Sequence, residues 1–193
     1  MHSTTLAEAL WAQPDARTHQ IVRAIVLMLG GSLALALSAQ FEIPWQPVPF
    51  TMQTFVVLVL GIVYGRDLGA ATGALYLGMG AVGLPVFAGG ASRAALTGAT
   101  AGYLVGFVVA MAVVGYLARR GLDRNVFGVL GVMLVGEVII FGLGLAWLAQ
   151  VIGSWDAAVA NGLEPFLVTE SLKVALAVAT VPLAWKAVDR LDG

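Results

Sequence analysis

Apolar residues fall in long blocks separated by short clusters of charge. Neutral stretches occupy 24–41, 43–65, 68–92, 94–118 and 138–155, each of 18 residues or more. A helix of about 20 residues crosses the roughly 30 Å hydrocarbon core of a bilayer. The pattern therefore predicts six crossings, at about 21–40, 52–65, 68–81, 100–118, 125–149 and 167–186. The second and third are short for a full span, so they should enter the interface at an angle or be completed by loop residues. Two connections are apolar yet rich in Pro and Gly: 42–55, with Pro44, Pro47 and Pro49, and 81–99, with Gly83, Pro85, Gly89 and Gly90. Neither composition sustains a helix. In lipid, irregular backbone survives only where protein or a cavity covers it, so both segments are expected to fold over something. Residues 1–20 are polar except for Leu6, Leu10 and Trp11, a spacing that suits either a short interfacial helix or disorder.

Composition strengthens this picture. The chain is 60% hydrophobic and 11% charged, against about 25% charged in soluble domains. The expected fold is all-α and polytopic, with a cytoplasmic segment at 1–20 and a six-helix membrane domain at 21–188. A net charge of -1 without a basic block argues against nucleic acid, which demands a Lys/Arg surface. Zero Cys excludes disulfides and thiolate metal sites, and His2 and His19 read as surface residues of the N-terminal segment. No metal site, cofactor or cleavable secretory signal is expected.

With the N-terminus inside, the cytoplasmic side receives Arg17, Arg23, Arg66, Arg119, Arg120, Arg124, Lys186 and Arg190, while the outer connections carry only Arg93. This matches the positive-inside rule and places both termini in the cytoplasm, in a multi-pass protein of the inner (cytoplasmic) membrane. The outer face then holds the two Pro/Gly-rich segments and the connection 150–166, which together look like loops capping a binding site.

Small residues recur every four positions in the first crossing (Gly30, Ala34, Ser38; Ser32, Ala36), in Gly61, Gly65, Gly69 and Gly73, and in Gly98, Gly102, Gly106 and Ala110. Such rows let helices approach closely. For the later rows the simpler reading is packing within the chain. For the first crossing, contact with a second membrane protein is an equal alternative.

Charges inside the predicted spans are Glu137, Glu170 and Lys173, and intramembrane charges generally face the bundle interior or a cavity. Glu170 and Lys173, three apart, share a helix face. They form either a structural ion pair or an acceptor and donor for a neutral polar ligand, such as a cyclic urea with two N–H groups flanking a carbonyl. A proton-translocating Glu170 is a weaker reading, because no second carboxylate is placed beside it by the spacing. Glu137 reads as structural, an anchor to a partner or to Arg124. The Arg93 guanidinium suits a carboxylate, or it simply solubilises its loop. Trp45, Phe50, Phe87, Tyr76 and Trp147 could line an apolar pocket or form an interfacial belt. Phosphate-loop, HExxH and nucleophile–His patterns are missing from the sequence. A membrane enzyme and an inverted-repeat secondary transporter remain as other classes, but convergent catalytic carboxylates and an internal repeat are both lacking.

The segment Val48-Pro49-Phe50-Thr51-Met52-Gln53-Thr54-Phe55, then Gly83-Leu84-Pro85-Val86-Phe87-Ala88-Gly89-Gly90, Leu96-Thr97-Gly98-Ala99-Thr100-Ala101-Gly102-Tyr103-Leu104, and Pro165-Phe166-Leu167 ahead of Glu170 and Lys173, together resemble the BioY family, the biotin-binding S components of energy-coupling factor (ECF) transporters. The resemblance covers about 21–188. It implies biotin uptake rather than enzymatic activity, through an outward-facing vitamin site, with a membrane coupling subunit and two ATPase subunits as partners. It also implies ligand contacts from Glu170, Lys173, Arg93, Trp45, Gln53, Tyr76, Phe87 and Trp147, and coupling-subunit contacts from Ser32, Ala34, Ala36 and Ser38. The ureido ring would meet Glu170 and Lys173, and the carboxylate would meet Arg93 or a loop amide. Where the family usually carries Asp-x-x-Lys, this chain has Glu170. Its extra methylene keeps the charge and moves it by about 1 Å.

Overall fold

The computed structural model describes residues 4–11 and 16–191. His2 lies outside them. The helices are α1 (Leu6–Leu10), α2 (Arg17–Gln40), α3 (Gln53–Tyr64), α4 (Arg66–Ala81), α5 (Ala101–Leu117), α6 (Val126–Ile152), α7 (Trp155–Gly162) and α8 (Leu167–Leu191). A two-stranded antiparallel ribbon, β1 (Glu42–Ile43) and β2 (Phe50–Thr51), pairs Glu42 with Thr51 and Ile43 with Phe50. Among the described residues, Arg17–Gln40, Ala101–Leu122, Val126–Ile152 and Trp155–Val188 are the four helical tracts long and apolar enough to cross a membrane. The 12 residues of α3 and 16 of α4 reach only about 18 and 24 Å at 1.5 Å per residue. The fold is thus an all-α membrane protein.

Helix α5 is the hub, packing against α3, α4 and α6, and its glycines explain why. A Cβ on Gly102 would stand 2.5 Å from the Leu143 carbonyl oxygen of α6, and one on Gly106 would stand 3.0 Å from the Ile140 Cα. At the other end, a Cβ on Gly115 would lie 2.4 Å from the backbone of Gly65, the positive-φ residue that turns α3 into α4. These two glycine rows pack inside the chain, as their spacing suggests. Around them Val57, Leu58, Ile62, Met111, Val114, Met133 and Ile140 are fully buried. Ile25, Leu29, Leu33 and Leu37 of α2 and Val168, Leu172 and Leu183 of α8 are exposed, an apolar periphery suited to lipid.

Three features depart from the pattern-based expectation. The short helix α1 does form, capped by Thr5 and Glu8, but Leu6 and Ala7 are buried in the protein, with α1 seated against α3 and α8. Arg23 anchors it, donating to the Ala7 carbonyl at 2.7 Å and the Trp11 carbonyl at 2.9 Å. Second, the connection 150–166 contains α7, started by the Ser154 hydroxyl accepting from the Ala157 amide. Third, Ser32 and Ser38 face inward. Both are buried, Ser32 donating to the Thr72 carbonyl of α4 and Ser38 back to Leu35 of its own helix, which corrects their expected place on a partner-facing surface. Ala34 and Ala36 are half-buried. At the opposite end from the ribbon, Trp185 of α8 donates to the Asp123 carboxylate at 2.8 Å, and Arg124 lies 4.0 Å over the Trp185 ring.

Candidate functional site

A cavity of about 360 Å³ lies beneath the irregular segments, within the range of small-molecule sites, about 300–1,000 Å³. Gln46 to Pro49 line it from the β1–β2 loop, Phe87, Ala88, Ala91, Ala95 and Ala99 from the second loop, Thr51 from β2, Gln53 and Thr54 from the start of α3, Thr100, Tyr103, Leu104 and Phe107 from the start of α5 and the residue before it, Phe141 from α6, and Phe166 and Glu170 from the start of α8. Both Pro/Gly-rich segments therefore fold over something, namely this cavity. Their lack of regular structure has a physical cause: Pro residues deny the ladder its amides, and Gly89 and Gly90 adopt positive φ.

One wall is apolar. Trp45 meets Phe50 edge-on at 5.9 Å, Phe50 stacks on Phe166 at 4.2 Å, and Phe141 meets Phe166 and Tyr103 edge-on at 5.8 and 5.7 Å. The other wall is polar. The Thr54 hydroxyl donates to Glu170 Oε2 at 2.6 Å, while Lys173 Nζ donates to Glu170 Oε1 at 2.7 Å, to Thr54 Oγ1 at 2.9 Å and to the Thr51 carbonyl at 2.6 Å. Glu170 and Lys173 are 7% and 8% exposed, so each charge depends on the other. All three ammonium protons are used. A carboxylate accepts about four hydrogen bonds, so Glu170, which borders the cavity, keeps capacity for a ligand N–H.

Of the residues expected at a ligand, Gln53, Phe87 and Glu170 line the cavity. Lys173 stands behind Glu170. Tyr76 is fully buried, accepting from Gln53 Nε2 at 2.7 Å and donating to the Val86 carbonyl, so it holds Gln53 and the second loop in place. Trp45 stands on the rim, packed on Phe50. Trp147 donates to the Gly98 carbonyl, tying α6 to the start of α5. Arg93 is exposed and donates to the Ala81 and Val82 carbonyls at 2.7 and 3.2 Å, closing the C-terminus of α4. Sequence reasoning overlooked Thr54, Tyr103, Phe107 and Phe141 as wall residues.

The reading of Glu137 also needs correction. Its carboxyl does not pair with Arg124, which covers Trp185. It lines the same groove between α6 and α8 as Glu170 instead, so a second carboxylate does stand beside Glu170. The contact crosses from α6 to α8 and leaves no trace in residue spacing.

The model of the BioY family matches residues 7–190. The chain belongs to the BioY family. A probable biotin transporter BioY from Pyrococcus horikoshii is 35% identical over 144 residues, covering 74% of this chain and 84% of the relative. A biotin transporter BioY from Thermotoga maritima is 36% identical over 146 residues, with the same shares, 74% and 84%. The crystal structure of the S-component for biotin from an ECF-type ABC transporter superposes with a TM-score of 0.74 at 21% identity, covering 89% of this chain and 95% of that one. At that identity the likeness establishes a common fold, and membership of the family rests on the sequence.

Proposed function

We propose that this chain takes up biotin across the cytoplasmic membrane, as the vitamin-binding S component of an ECF-type transporter whose coupling subunit and two ATPase subunits supply the energy. The observation that carries the reading is the roofed cavity ending on Glu170, in a member of a family whose relatives are biotin transporters. Biotin combines a urea with two N–H donors, an apolar bicycle and a carboxylate. Glu170 would accept from the urea, with Lys173 neutralising it from behind and reaching the urea oxygen by releasing the Thr51 carbonyl. The aromatic wall would hold the bicycle, Gln53 and Phe87 would flank it, and Tyr76, Trp45 and Trp147 would support the lining from outside. The carboxylate would meet loop amides, or Arg93 once its guanidinium leaves the end of α4.

In the same reading α3 and α4 complete six crossings within 21–188, with both termini in the cytoplasm. The support is the Lys/Arg asymmetry, together with the cavity lying at the end of the molecule where Arg93 is the exposed basic residue and Lys173 is buried against Glu170. The half-buried Ala34 and Ala36 of α2, beside the open backbone of Gly30, suit close approach of the coupling subunit.

Calorimetric titration of biotin into the detergent-purified chain tests the reading. We expect saturable binding at one site per chain without ATP and without chemical change of biotin. Conversion of biotin, or no binding while the protein remains folded, would overturn it.

A further inference from the structure

Glu137 sits near the middle of α6 and is 9% exposed. Neither of its carboxyl oxygens meets a hydrogen-bond donor among the described residues. The groove between α6 and α8 that it borders offers none either. Its other walls are apolar, including Leu134, Val138 and Val174, apart from Ser171, whose hydroxyl is committed to the Leu167 carbonyl. The polar group that shares this groove with Glu137 is the Glu170 carboxyl, which lines it from α8. Two ionised carboxylates are both acceptors and cannot bond to each other, and an unpaired buried charge is far costlier than a neutral acid. A single proton between them resolves the conflict. It turns Glu137 into a donor and leaves Glu170 with one negative charge opposite the one positive charge of Lys173.

The remaining neighbours do not supply an alternative. On α8 the nearby ionisable groups are Glu170, which lines the groove, and Lys173, which is paired with it. Helix α3 brings Thr54, whose proton already goes to Glu170. Tyr103 on α5 donates to the Gly162 carbonyl. Asp156 of α7 and Glu164 beyond it are exposed, and Asp123 and Arg124 are engaged with Trp185 at the far end of α6.

We propose that Glu137 carries a proton and donates it to Glu170 in a hydrogen bond, and that this proton holds Glu170 in position for the ligand, so that biotin affinity depends on pH through Glu137. The second half rests on the biotin reading above. The first half does not. When the proton leaves to water, two carboxylates face one ammonium, Glu170 is pushed from its place, and affinity falls.

Two measurements decide it. Infrared spectra of the purified protein in H2O and D2O at neutral pH should show the C=O stretch of a neutral carboxylic acid. The band should be retained in Asp123→Asn and lost in Glu137→Gln and Glu137→Met. Its absence from the wild type, its survival in both Glu137 variants, or its loss in Asp123→Asn overturns the proposal. Biotin titrations between about pH 6 and pH 9, where the biotin carboxyl stays ionised, supply the second readout. Wild-type affinity should fall with rising pH, by at most about tenfold per unit for one linked proton. In Glu137→Gln, which keeps a donor that pH cannot remove, the profile should be flat. A Glu137→Gln profile parallel to the wild type overturns the pH linkage. Failure of the wild type to bind biotin at any pH would sink the functional reading, and the infrared band would still decide the proton.

Discussion

Thr54 is the residue on which the buried charges turn, because its one hydroxyl accepts from Lys173 and donates to Glu170. Replacing it with Val keeps the shape and removes both bonds. A buried polar group left unsatisfied costs about 1–3 kcal/mol, and more for a charge. Thr54→Val should therefore weaken biotin binding by at least about tenfold, the equivalent of roughly 1.4 kcal/mol, while Thr54→Ser, which restores the hydroxyl, should recover most of the affinity in calorimetric titration. Wild-type affinity in Thr54→Val would remove the relay from the site. The contrast with Glu170 and Lys173 shows what a sequence carries at this scale. Their spacing alone puts them on one face of a helix, and charges within apolar spans call for partners, so the pair was legible. Thr54 and Glu137 reach the same spot from α3 and α6 through tertiary packing, and a threonine in an apolar stretch carries no signal of its own. Arg93 illustrates the converse. Its type as a donor was legible, but its acceptors, the Ala81 and Val82 carbonyls, depend on how the loop returns to α4.

Helix packing depends on where glycines let backbones meet, and that makes individual glycines unequal. A Cβ at Gly115 would press on the backbone of Gly65, Arg66 and Gly61 at 2.4 to 2.7 Å, and backbone there cannot yield without moving α3, α4 and α5 together. Overpacking of this kind costs about 1–3 kcal/mol. At Gly131, on the exposed face of α6, nothing lies within 4 Å of the same atom, and an alanine is the better helix former by about 1 kcal/mol. Gly115→Ala should thus lower the apparent melting temperature in detergent by several degrees and Gly131→Ala should leave it level or raise it. Equal effects would mean that the α3–α5 contact is not close-packed. The recurrence of small residues every four positions revealed the α5 interfaces, since that period matches one helix face. For α2 the same period left internal packing and a partner contact both open, and Ser32 and Ser38 are buried within the chain, Ser32 reaching the Thr72 carbonyl of α4 and Ser38 bonding back to Leu35 of its own helix. Spacing identifies a face and not which neighbour it meets. Helix α7 was hidden for a different reason: eight residues are too few for a clear period, and only the Ser154 cap and the Gly153 stop marked it.

For the molecule as a whole, the cavity and most of the exposed basic residues lie at opposite ends. The Pro-rich loop, the second loop and the start of α8 line the cavity, and among the described residues Arg93 is the exposed cation of that end. The other end gathers Arg66, Arg119, Arg120 and Arg124 from the α3–α4 and α5–α6 turns, with Glu8 of α1 drawn to Arg119 at 3.0 Å. Lys/Arg-rich connections stay cytoplasmic because they resist translocation, so the cavity should open outward, where an uptake protein meets its solute. The short α3 and α4 fit this arrangement, since the turn at Gly65 joins them on the charged side and the loops complete their reach on the other. The chain contains no cysteine, which allows a direct test with single-cysteine variants at Thr97 and Arg120, both exposed in the structure. In intact cells a membrane-impermeant maleimide should label Thr97→Cys at once and Arg120→Cys only after permeabilisation, and saturating biotin should slow labelling at Thr97 if the second loop tightens over the occupied cavity. Labelling of Arg120→Cys in intact cells with protection of Thr97→Cys would invert the orientation, leaving a cavity open to the cytoplasm and unsuited to capturing a vitamin from outside.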